Sequence, residues 1–144
     1  MKRMLFAAAL ATACAASFAQ TPALPTSKAP AGAEAYIISP ADGATVGREV
    51  TVRFGLKGMG VAPAGVAKEH TGHHHLLIDV APPAMDEPIP NDKNHLHFGG
   101  GLTEARIELP PGRHTLQLLL GDTDHVPHNP PLLSNKITVI VPPP

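Results

Sequence analysis

The sequence predicts an all-β chain folded as an antiparallel, immunoglobulin-like β-sandwich of about seven strands. Three observations carry that expectation. Apolar residues recur at every second position in short runs, each run ends at a Pro, Gly or Asp turn, and no stretch repeats at helical spacing. Seven short strands in about a hundred residues suit such a sandwich, with a small closed barrel as the second compatible architecture.

Tyr36 to Ser39 reads as a first strand, stopped by Pro40 and an Ala41-Asp42-Gly43 turn. From Glu49 to Leu56, Val50, Val52 and Phe54 face one way while Thr51 and Arg53 face the other. Gly58 to Thr71 holds three glycines and Pro63, and reads as a loop. His73 to Val80 is a strand with little charge on either face. Pro82, Pro83, Pro88 and Pro90 then make a stiff connection that cannot pair as a central strand. A short strand over His95 to Phe98 ends in Gly99-Gly100-Gly101. Alternation resumes at Thr103, Ala105, Ile107 and Leu109, and Pro110-Pro111-Gly112 turns the chain. His114, Leu116, Leu118 and Leu120 share one face of the next strand. A His- and Pro-rich loop from Asp122 to Pro131 precedes the last strand, with Ile137, Val139 and Val141 on one side.

The N-terminus has the marks of export. Lys2 and Arg3 precede an apolar run from Leu5 to Ala16, and Ser17-Phe18-Ala19 supplies small residues for cleavage before Gln20. Residues 1–19 are therefore expected to be a signal peptide, residues 20–33 a Pro/Ala-rich linker, and residues 34–142 the domain. This places the protein in the periplasm or outside the cell, with no transmembrane segment in the mature chain. Ala11-Thr12-Ala13 departs from a leucine-led lipobox, so Cys14 is expected to leave with the signal. Without it the remaining 125 residues hold no cysteine, which excludes disulfides, thiolate nucleophiles, zinc ribbons and blue-copper sites. Losing Lys2 and Arg3 lowers the 11 basic residues to 9 against 12 acidic ones, a net charge of −3. That acidity argues against a nucleic-acid partner, and one tyrosine with no tryptophan argues against a stacking platform.

All nine histidines lie between His70 and His128. Residues i and i+2 of a strand share a face about 6.5–7 Å apart. His73 with His75, and His95 with His97, are thus each a candidate bidentate pair, and four imidazoles would meet if the two strands were neighbours. His125 and His128, with Asp122, form a third group in the Pro-stiffened loop. His70 and His114 read as ordinary loop and strand-face residues, and His74, on the opposite face to its neighbours, as ligand or core residue alike. Imidazole and carboxylate donors suit copper(II) and zinc equally. Met59 and Met85 supply too few thioethers for a Cu(I) site, and a terminal Gln20 rules out a histidine brace. No nucleophile elbow, phosphate loop or His-Glu-x-x-His helix is present, so no enzymatic activity is expected.

The segments GHHHLLID from Gly72, NHLHFGGG from Asn94 with Thr103-Glu104 after it, and PPGRHTLQLLLGD followed by HVPHNPP resemble those of an uncharacterised bacterial family. It is known only as a domain of unknown function, number 4399, in short exported proteins. The similarity spans about Ala35 to Val141 and implies export, but no activity, ligand or site. The residues themselves predict a periplasmic or secreted metal-binding protein that buffers, senses or delivers copper(II) or zinc. Its first-choice ligands are His73, His75, His95 and His97, with His125, His128 and Asp122 contributing or forming a second site. The alternative is a metal-free module whose histidines form a hydrogen-bonded rim docking to a cell-envelope protein or polysaccharide.

Overall fold

The structure, a computed structural model, describes residue 22 and residues 24–144. The expected signal segment, 1–19, lies outside the described residues. Among the described residues nine strands follow one another: β1 (Glu34–Ser39), β2 (Ala44–Thr45), β3 (Glu49–Lys57), β4 (Gly60–Val61), β5 (Thr71–Ile78), β6 (His95–His97), β7 (Glu104–Glu108), β8 (Gly112–Gly121) and β9 (Ile137–Val141). They form two sheets packed against each other. One is β1-β3-β7; the other runs β2-β9-β8-β5-β4, with β6 also paired to β5. The chain is all-β and sandwich-like, as the alternation predicts. The two strands beyond the expected seven, β2 and β4, are two residues long and lie in stretches that read as turn and loop.

Alternation decides which side chains fill the space between the sheets. Val50, Val52 and Phe54 of β3 meet Ile107 of β7, Leu116 and Leu118 of β8, and Ile137, Val139 and Val141 of β9. On the solvent face of the smaller sheet, Glu49 and Arg106, Arg53 and Glu104, and Arg48 and Glu108 make exposed ion pairs. Such pairs contribute well under about 1 kcal/mol each, so apolar burial carries the fold.

β5 departs from simple alternation because seven of its eight residues are buried. Leu76 and Ile78 point between the sheets with the main core, whereas Leu77 points the other way. There it packs with Leu119 of β8 and Ile89, flanked by Val80, Met85 and Leu133. The connections over residues 79–94 and 122–136 thus form a roof on the outer face of the larger sheet. The Ile89 amide donates to the His125 carbonyl at 2.9 Å, tying the two roof segments together. A strand covered on both faces loses its polar half, as in buried parallel sheets. Within the expected linker, Ser27 to Ala29 lies along this roof: the Asn129 amide donates to Ser27 O, and the Ala29 amide to Asn129 O.

Candidate metal centre

The roof encloses four imidazoles. β5 and β6 are antiparallel neighbours, with His75 opposite His97 and Leu77 opposite His95. His73 and His75 share the outer face of β5, so His97 lands beside both, its ring centroid 5.0 Å from each. The same register carries His95 past Leu77 and away from His73. Its Nδ1 lies 2.9 Å from Asp92 Oδ1, an exposed pairing that lowers the Asp92 pKa, chiefly through that hydrogen bond.

The fourth ring comes from the roof. The His125 amide donates to Asp122 O at 3.0 Å, closing a turn over Asp122 to His125, and the Asp122 amide donates to Val126 O at 2.9 Å. His125 itself sits at φ 67°, in the left-handed region. A turn followed by one left-handed residue is the frame of a three-residue hairpin loop, whose last position ordinarily takes glycine. Here it carries an imidazole that lies 4.8 Å from the His97 ring and 5.0 Å from that of His73, centroid to centroid.

Among the described residues, His73, His97 and His125 form the one set of three potential ligands whose donor atoms all lie within 4.8 Å of one another. His75 adjoins it, its Nε2 3.0 Å from His73 Nε2. Two nitrogens about 3.3 Å apart are what a tetrahedral ion with bonds of about 2.0 Å requires, so the His73–His75 spacing is already close to a coordination edge.

Three glycines make room. A Cβ on Gly121, opposite His73 in β8, would meet His75 Nε2 at 2.9 Å. One on Gly99 would overlap the His97 ring, and one on Gly72 would meet His128 Cε1 at 2.9 Å.

Burial disfavours the charged form of His73, His75 and His97. It pushes the His75 pKa down to about 2, helped by repulsion from His73, His97 and His125. His73 falls to about 4 for the same reasons, with Asp122 acting weakly against them. His97 is lowered by burial and then by His125. Neutral imidazole is the form that binds metal. His97 Nε2 and His75 Nδ1 are also buried without a hydrogen-bond partner among the described residues, an arrangement that costs about 1–3 kcal/mol per group if nothing engages it.

The other two predicted ligands, His128 and Asp122, and the remaining strand histidines stand apart. His128 Nε2 donates to Thr71 O at 3.1 Å, leaving its buried Nδ1 as an unpartnered lone pair outside the triad. Asp122 uses Oδ1 to accept from the Asp124 and Val126 amides, and Oδ2 to accept from Ser27 Oγ at 2.8 Å. His74 points into the core, its ring centroid 5.2 Å from that of Phe54, and burial lowers its pKa to about 4. His114 is clasped between Asp79 Oδ2 at 2.7 Å and Pro110 O at 2.8 Å. Sequence reasoning found the two strand pairs and the loop, but not that His125 joins the strand rings while His95 leaves them. The Gly121 and Gly99 positions, beside histidine-bearing segments, were the readable sign of rings needing space.

No helix among the described residues is long and apolar enough to cross a membrane. No curated protein matches the chain, and no solved structure does. The profile of one family, Domain of unknown function (DUF4399), matches residues 52–142, a span from the second residue pair of β3 to just past β9 that contains every ring of the cluster. The chain therefore belongs to this family of domains of unknown function.

Proposed function

We propose that this domain binds a transition-metal ion, copper(II) or zinc, through His73, His97 and His125, with His75 completing the set. Its role is holding and handing over the ion in the periplasm or outside the cell, not catalysis. One observation carries the reading: three separate chain segments bring imidazoles to one largely covered patch and leave buried ring nitrogens there unpartnered. A cluster kept only for packing would favour apolar rings, because unpartnered buried nitrogens destabilise the fold. The donor set is nitrogen alone, which suits copper and zinc and disfavours calcium and magnesium, whose ligands are oxygens.

Metal analysis and titration of untagged protein with Zn(II) and Cu(II) test this. A single bound ion per chain is expected, with a thermal midpoint that rises on metal addition and falls back with EDTA, because a ligand of the native state stabilises it. His97→Ala/His125→Ala should abolish that rise, and His70→Ala should not. A double variant that binds as tightly as the unmodified protein would refute the assignment.

A further inference from the structure

Asp122 belongs to the sequence pattern that suggested a ligand, yet both of its carboxylate oxygens are already engaged. Oδ1 accepts from Asp124 N at 2.9 Å and Val126 N at 3.0 Å, and Oδ2 accepts from Ser27 Oγ at 2.8 Å. The residue is 2% exposed. Its own amide and carbonyl close the same loop through Val126 O and His125 N. Every one of these contacts bears on the five-residue stretch that holds His125 at φ 67°.

We infer that Asp122 is a positioning residue for the metal centre: from outside the coordination sphere it fixes His125 and supplies the negative charge that offsets the bound cation. This rests on the metal-binding reading above. Two physical arguments support it. Left-handed backbone is uncommon for any residue but glycine, histidine included, so the loop must hold it there, and the Asp122 hydrogen bonds are the means. Imidazole ligands carry no negative charge, so a dication among them lacks any counter-charge from its ligands. Asp122 is a buried carboxylate that directly follows Gly121, the residue opposite His73 in β8. Partners that orient histidine ligands from outside the coordination sphere typically change metal affinity 10–100-fold when they bond the imidazole itself, and Asp122, which bonds the loop instead, is expected at the lower end of that range.

The variants Asp122→Asn and Asp122→Ala separate the two contributions. Asparagine keeps an acceptor at Oδ1 for both amides, removes the charge and turns the Ser27 partner from acceptor to donor, which the Ser27 hydroxyl meets by rotating to accept; alanine removes the charge and every one of these contacts. Zn(II) affinity is measured by competition with a chelator, and Co(II) serves as the spectroscopic probe. The Asn variant should melt within a few degrees of wild type without metal, bind Zn(II) roughly tenfold more weakly, and leave the Co(II) d–d band positions unchanged. The Ala variant should bind more weakly still, so that Asn restores part of the loss. Wild-type affinity in the Asn variant, or Co(II) bands displaced by that substitution, would overturn the inference while leaving the metal reading intact. If wild-type protein itself takes up neither Zn(II) nor Co(II), the metal reading fails first. Should the Ala variant fail to fold, the Asn variant alone decides.

Discussion

Replacing His125 by glycine would separate function from stability at one position. At φ 67° a histidine is held in a region costing roughly 1 kcal/mol or more for a residue with a Cβ, and glycine removes that strain. Against this, glycine gives the unfolded chain more freedom, a loss of about 0.4–1 kcal/mol. The ring contacts with His73 and His97 add a further loss of about 0.5–1 kcal/mol. The opposed contributions nearly cancel, so the metal-free variant should match wild type within about 1 kcal/mol, a few degrees in Tm for a domain of this size. With metal the two must diverge. Free ion at a hundred times its Kd stabilises wild type by about 2.7 kcal/mol, and a variant lacking one of the three convergent ligands should gain far less. Calorimetric melts of both proteins, with EDTA and with saturating Zn(II), make the comparison. If His125→Gly loses several kcal/mol without metal, or keeps the full metal-dependent gain, the reasoning about this loop is wrong.

Other consequences are as direct. His95→Ala should leave Zn(II) affinity within about twofold of wild type, whereas His97→Ala should lower it more than tenfold by isothermal titration, because only His97 stands opposite His75. Gly121→Ala should destabilise the metal-free fold by about 1–3 kcal/mol in urea unfolding, since its Cβ would press on His75 Nε2. Stability should fall as pH drops from about 6.5 towards 4. Over that range the unfolded chain takes up protons that His73 and His74 refuse in the fold, worth about 1.4 kcal/mol per pH unit for each ring held neutral. His114 works the other way. Burial opposes its charge, but the hydrogen bond to Asp79, the Pro110 carbonyl and the Asp79 charge together raise its pKa. Its contribution is therefore full below the unfolded value and lost as pH rises through the folded one, so His114→Gln should cost more stability at pH 6 than at pH 9.

The fold was largely legible because alternation is a local signal. Val50, Val52 and Phe54, and later Ile137, Val139 and Val141, announce their faces without reference to anything distant. β2 and β4 were not legible, since two residues have no period. The site was legible in part. The i, i+2 rule places His73 with His75 and His95 with His97 on common faces, but register decides which pair members meet. Antiparallel pairing with His97 opposite His75 moves His95 beyond Leu77, towards Asp92. Register is a tertiary property set by the loops around Pro82 to Pro90, and no residue of β6 encodes it alone. Asp122 was read for its chemistry, whereas its geometry is that of an acceptor for its own loop's amides. The arrival of His125 beside the strand rings depends on the roof folding back over β5, which composition does not reveal.

The roof also sets a tempo. Its apolar layer centres on three fully packed residues, Leu77, Ile89 and Leu119, against a dozen in the layer between the sheets. Residues 132–134 are held to β8 by the Leu120 amide on Leu132 O and the Ser134 amide on Leu118 O, but the seam between Ile89 and His125 can part and leave the sandwich whole, so the Ile89 and His125 amides should exchange with deuterium well before those of β3 and β8. His73 and His75 would stay anchored during such an excursion while His125 swings out. An ion held as proposed would then leave through brief, partial opening, at a rate set by this seam and not by the far slower unfolding of the whole domain.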